Sequence, residues 1–97
     1  MFGERTVNLK LTDRARERIS QWKTSSKLQS PVLSIKWAKW NDEPSERWII
    51  GFHEHSRVQE GWRGITQEFE FIVIQEWVLD SLDGKTLDIG EDGVQVE

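Results

Sequence analysis

The chain contains no cysteine. That absence excludes a disulfide framework, a thiolate nucleophile, a zinc ribbon and any protein-supplied thiolate for an iron–sulfur cluster. Long hydrophobic runs are missing too. Only 36% of the 97 residues are apolar, and no stretch approaches the about 20 apolar residues that cross a bilayer. The opening "MFGERTVNLKLTD" carries charges and a strand-like alternation where a secretory signal has an unbroken apolar run. No internal repeat or low-complexity tract is visible, and histidine occurs only twice. The expectation is a soluble cytoplasmic protein of one domain, residues 1–97, with no cofactor.

Tryptophan is what the chain has in quantity. A protein of this size hides only about 60–65% of its unfolded surface. Six Trp and four Phe, burying about 150–250 Å² each, can furnish a small core without many aliphatic residues. Charge is divided unevenly along the chain. Residues 1–40 carry nine Lys/Arg against three Asp/Glu, and residues 41–97 carry four against fourteen. Within one small domain, such halves are expected to lie against one another.

Periodicity gives the elements. Val7, Leu9 and Leu11 alternate with Asn8 and Lys10, the pattern of a half-buried strand over residues 6–11. Thr12 or Asp13 offers an N-cap oxygen for a helix over 13–23, whose apolar face is Ala15, Ile19 and Trp22. After the loop "TSSKLQSP" come two strand-like runs, "VLSIKWAKW" and "RWIIGFHEH", joined by the polar break "NDEPSE". They read as an antiparallel hairpin. "SRVQEGWRG" reads as a glycine-bearing loop before a strand in "ITQEFEFIVIQ". Ile72 and Ile74 make both faces of that strand's far end apolar, which calls for a cover, and the helix "EWVLDSL" is the natural one. Asp83-Gly84 ends this helix, and "KTLDI" and "VQVE" close the chain as a pair of short strands. The expected order is β-α-β-β-β-α-β-β: an α+β fold of mainly antiparallel small sheets with two short helices.

Three stretches together resemble the HesB-like domain family, to which the A-type iron–sulfur carriers belong. They are "LTDRARERI" near the start, "VLSIKW" in the first long strand, and "FEFIVIQEWVLDSLDGKTLDIGEDGVQVE". The last is similar to the family's strand, short helix, aspartate-glycine turn and "LD" strand. The resemblance implies a HesB-like fold and a link to iron–sulfur biogenesis. It also implies three cluster ligands that this chain lacks. The carriers present one cysteine after the strand matching "VLSIKW" and a Cys-x-Cys pair in a carboxy-terminal tail. Residues 40–42 are Trp, Asn and Asp, and no Cys-x-Cys occurs through Glu97. Cluster carriage through those ligands is therefore excluded, and a non-catalytic binding or regulatory role is the expectation.

Several constellations invite sharper readings. His53 and His55 stand at i, i+2 on one predicted strand face and could share a metal ion, although a third ligand would have to come from elsewhere. Exposed, hydrogen-bonded histidines are the simpler expectation. Asp80, Asp83, Asp88, Glu91 and Asp92 suggest calcium, but an EF-hand loop starting at Asp88 would put Gly90 at its third, ligating position. Arg14, Arg16, Arg18, Lys23 and Lys27 offer a basic helix for nucleic acid, opposed by the acidic second half. No nucleophile elbow or Ser-His-acid grouping is present, and Glu68 and Glu70 read as a solvent-facing strand edge.

The tryptophans divide by phase. Trp22, Trp37, Trp48 and Trp77 fall with apolar faces and are expected in the core. Trp40 and Trp62 fall out of phase or in a loop. With Asp42 and Glu43 of the turn they form the candidate surface for an unknown protein partner or for self-association. No membrane contact is expected.

Overall fold

The computed structural model describes residues 2–39, 42–58 and 61–97. The fold is α+β: strands β1 (Phe2–Thr6) and β2 (Lys10–Leu11), helix α1 (Asp13–Ser25), strands β3 (Pro31–Lys39) and β4 (Glu46–Glu54), a 3₁₀ turn (His55–Arg57), strands β5 (Gly61–Ile65) and β6 (Glu70–Val73), helix α2 (Glu76–Leu82), and strands β7 (Thr86–Gly90) and β8 (Gly93–Val96). They build a five-stranded sheet of order β1-β5-β6-β3-β4 and a three-stranded sheet of order β2-β7-β8. Three antiparallel hairpins, β3–β4, β5–β6 and β7–β8, are joined by the parallel pairings β1–β5, β3–β6 and β2–β7. Both sheets are therefore mixed.

The strand expected over residues 6–11 is two strands, because the chain changes sheets within it. Val7 and Leu9 are buried at the crossing. The Val7 amide donates to the Ile65 carbonyl at 2.9 Å in one sheet, and the Lys10 amide donates to Lys85 at 3.1 Å in the other. Between them the aspartate-glycine turn clasps Asn8. Its amide donates to Asp83 Oδ1 at 2.8 Å, and its carbonyl accepts from the Gly84 amide at 2.7 Å. The turn thus pins the crossover as well as ending α2.

The segment "SRVQEGWRG", expected as a loop, contains all of β5 but its last residue. Its glycines conceal the strand from a pattern search, and one of them is required by packing. A Cβ on Gly64 would lie 2.6 Å from Phe71 Cε1, so the fully buried Phe71 ring rests on the bare backbone of the neighbouring strand. Gly3 likewise seats the Trp62 ring, whose Cε3 would be 2.5 Å from an added Cβ. A turn at Thr66, whose Oγ1 accepts from the Glu68 and Phe69 amides at 3.2 and 3.0 Å, then separates β5 from β6.

The core lies on one face of the large sheet, the inner face. Leu33, Ile35, Phe71 and Val73 of that face meet Val78, Leu79 and Leu82 of α2 and Leu87 of β7. Helix α2 therefore covers the inner face and leaves Ile74 in solvent at 77% exposure, against the expectation that it would cap Ile72 and Ile74. Helix α1 packs on β7 through Ala15, its one buried residue, with Ile19 half-buried behind it.

Three tryptophans expected in the core are not there. Trp22 and Trp37 are each 38% exposed and Trp77 is 45% exposed, with its indole nitrogen donating to Gln75 Oε1 at 2.8 Å. Periodicity identifies the face a residue belongs to, but not whether a partner element extends far enough to cover it. Trp48 is half-buried against the core.

The two charge halves do meet. Arg5 pairs with Asp80, Arg14 with Asp88, Arg16 with Glu68 at 2.9 Å, and Arg63 with Glu4 at 3.2 Å.

Candidate functional site

Three of the five acids that suggested calcium are engaged elsewhere. Asp80 binds Arg5, Asp83 accepts from the Asn8 amide, and Asp88 accepts from Thr12 Oγ1 at 2.7 Å and from Arg14 Nε at 2.6 Å. Glu91 and Asp92 occupy the two-residue turn of the β7–β8 hairpin, where Gly90 pairs with Gly93. Two of the helix arginines offered for nucleic acid, Arg14 and Arg16, are likewise held by carboxylates.

The histidines do not share a strand face. His53 lies on β4 with Nε2 3.0 Å from Ser34 Oγ. The strand ends at Glu54, whose carboxylate accepts from the Gln29 and Ser30 amides at 3.1 and 3.0 Å. His55 opens the 3₁₀ turn, and its amide donates to the Ser30 carbonyl at 2.9 Å. The loop before β3 thus captures the chain just after His53 and breaks the i, i+2 alignment. Among the described residues no group of three or more His, Cys, Asp or Glu side chains is placed to hold a metal ion.

Of the expected interaction residues, Trp40 lies outside the described residues. Asp42 is exposed at the turn, and Glu43 is half-buried with Oε1 3.2 Å from Arg47 Nη2. Trp62 sits on the inner face of β5, half-buried against the core and opposite Val73. In the strand order β5-β6-β3-β4 it is two strands from the hairpin that carries the turn. At about 4.8 Å per strand and 3.3 Å per residue, Trp62 and the turn do not form one patch.

The hairpin presents a different aromatic surface. Strands β3 and β4 have nine residues each, whereas β6 beside them has four. With Ser34 opposite Ile72 in the parallel β3–β6 pairing, β6 ends at Val73, level with Ile35. The hairpin continues unsupported, and the inner face records the change. Leu33 is 5% and Ile35 0% exposed, but Trp37, next in phase, is 38% exposed. Opposite it stands Trp48, with ring centroids 5.2 Å apart and an interplanar angle of 66°, an edge-to-face pair. Trp48 also lines an open cleft with Ile50 of β4 and Gly93 and Val94 of β8. A two-tryptophan overhang thus borders a cleft between two sheets, beside the turn that carries Asp42 and Glu43.

Sequence reasoning singled out this end of the hairpin but placed Trp37 in the core. A usable signal was length. A nine-residue hairpin beside a short strand must project, and its last inward side chain then lacks a roof.

No model of a known protein family matches the chain, and no curated protein matches it. No helix is long and apolar enough to cross a membrane among the described residues.

Proposed function

We propose that this protein is a non-catalytic, cytoplasmic binding or regulatory domain of HesB-like type that carries no cluster, and that it engages a protein partner or a second copy of itself through the Trp37–Trp48 end of the β3–β4 hairpin. The observation that carries the reading is the exposure of Trp37 directly after the buried Leu33 and Ile35 on the same face of β3. A large aromatic held by a cross-strand partner loses little conformational freedom on binding, and tryptophans of this kind dominate interface energies. The resemblance supports the location, since residues 40–42, where the family's carriers place their first cysteine, follow directly on β3. In this reading aromatic contact through Trp37 and Trp48, next to that position, replaces metal ligation.

The test is Trp37→Ala. It removes an edge-to-face contact worth about 0.5–1.5 kcal/mol, so the fold is expected to survive with a small fall in melting temperature. Partner affinity, or the dimerisation constant measured by sedimentation, is expected to weaken about 30-fold, the effect of a hot spot of about 2 kcal/mol. An unchanged association with either binding mode would sink the assignment of this surface.

A further inference from the structure

The outer face of the large sheet holds a feature unrelated to the tryptophan end. Strands β3 and β6 pair through a single position, Ser34 opposite Ile72. Beyond it the sheet opens into a groove of ≈ 230 Å³. Its apolar lining is Ile35, Ile72, Val73, Ile74 and Val58, the last reaching across from the connection between β4 and β5. Its polar lining is Ser34, His53, Lys36 and Arg57.

Two properties of this groove set the chemistry of its occupant. The first is charge. The protein as a whole carries 17 acidic against 13 basic residues, yet no acidic residue lines the groove among the described residues. Lys36 and Arg57 form no ion pair among the described residues, unlike Arg5, Arg14, Arg16 and Arg63. The second is an uncovered apolar wall, for Ile74 is 77% exposed and no element packs over it among the described residues. Cations that form no ion pair among the described residues, beside apolar side chains, favour a ligand that is anionic at one end and apolar along the rest. The groove has room for about eight waters at about 30 Å³ each, and because it is open at the surface a ligand of about eight to ten non-hydrogen atoms suits it.

We propose that the outer-face groove binds a small monocarboxylate with a short apolar chain. The carboxylate sits between Lys36 and Arg57, and the chain lies along Ile72 and Ile74 under Val58. The site is independent of the hairpin end. Lys36 and Ser34 project from the face of β3 opposite to Trp37 and Ile35, so either site can fail without the other.

The experiment is a titration of ¹⁵N-labelled full-length protein with sodium octanoate, followed by amide chemical shifts. Saturable shifts are expected at Ser34, Lys36, Arg57, Ile72 and Ile74, with a Kd of about 0.1–1 mM, the range for a ten-atom ligand. Two comparisons isolate the charge. Octanol, with the same chain and no carboxylate, is expected to bind at least about tenfold more weakly. The double variant Lys36→Glu with Arg57→Glu, both exposed positions, is expected to lose at least about tenfold in octanoate affinity with an unchanged circular dichroism spectrum, because charge-assisted contacts reverse sign. Trp37→Ala is expected to bind octanoate as the wild type does. The proposal is overturned by the absence of saturable shifts at these amides up to about 5 mM, well above the expected range, by equal affinity for octanol, or by an unaffected double variant.

Discussion

Gly64→Ala is expected to lower stability by about 1–3 kcal/mol, the usual penalty for forcing an extra methyl into a filled core. In a chain of this length that is a fall in melting temperature of order 10 °C. The new methyl would stand within 2.6 Å of Phe71 Cε1, and Phe71 is 1% exposed, so the ring has nowhere to go. The neighbours that would have to yield, Val73 and Leu33, belong to the same buried cluster. Thermal unfolding followed by circular dichroism measures the effect. The mechanism has its own check, because Phe71→Leu shrinks the ring that the methyl meets. In the double variant the two costs should sum to more than the observed loss, a coupling expected only of side chains in contact. Gly64→Ala with an unchanged melting temperature would mean that Phe71 does not rest on β5.

Asp88→Asn is expected to weaken the side-chain polar tie between the start of α1 and β7, leaving the packing of Ala15 in place. Its carboxylate takes a forked contact from the Arg14 guanidinium and a 2.7 Å bond from Thr12 Oγ1, while the same Thr12 oxygen caps α1 by accepting from the Ala15 amide at 3.2 Å. One carboxylate therefore orients both the cap and the first turn. Hydrogen bonding from Arg14, and then from Thr12, holds the Asp88 carboxyl well below the usual carboxylate range. A depressed folded-state pKa contributes stability that is complete above the unfolded value, about 4. That contribution is lost as pH falls below it towards the folded-state value. The variant should therefore melt below the wild type at pH 7, and the gap should close as pH is lowered from about 4 towards 2. Melting curves across that range decide the matter. A gap independent of pH would show that the charge of Asp88 plays no part.

How much of this was readable in the sequence depended on the kind of signal. Hairpin β3–β4, helix α2 and hairpin β7–β8 follow from alternation, helical spacing and turn residues, all of which are local. The α+β class follows from them, and so does the meeting of acidic and basic halves. Strand β5 was not legible because one of its glycines, Gly64, is the seat for the Phe71 ring of the neighbouring strand, a demand that arises only after pairing. The split of the first strand was hidden because Val7, Leu9 and Leu11 keep one alternation while the backbone changes sheets. At the candidate sites, parity placed Trp37 on the inner face correctly, but the end of β6 at Val73, which uncovers it, is a long-range fact. The histidine pair failed for a comparable reason. Ser30, over twenty residues earlier, bends the chain at His55. Lys36, Arg57 and Ile74 are unremarkable in sequence and become a site only where β3 and β6 part.

The binding proposed for this protein runs through an aromatic hairpin end rather than through a held metal ion. Elemental analysis of untagged protein purified anaerobically tests it most directly. The account predicts folded protein with far less than one iron or zinc per chain. Stoichiometric iron or zinc that survives dialysis would contradict it, and would turn attention back to His53, His55 and the carboxylates around them.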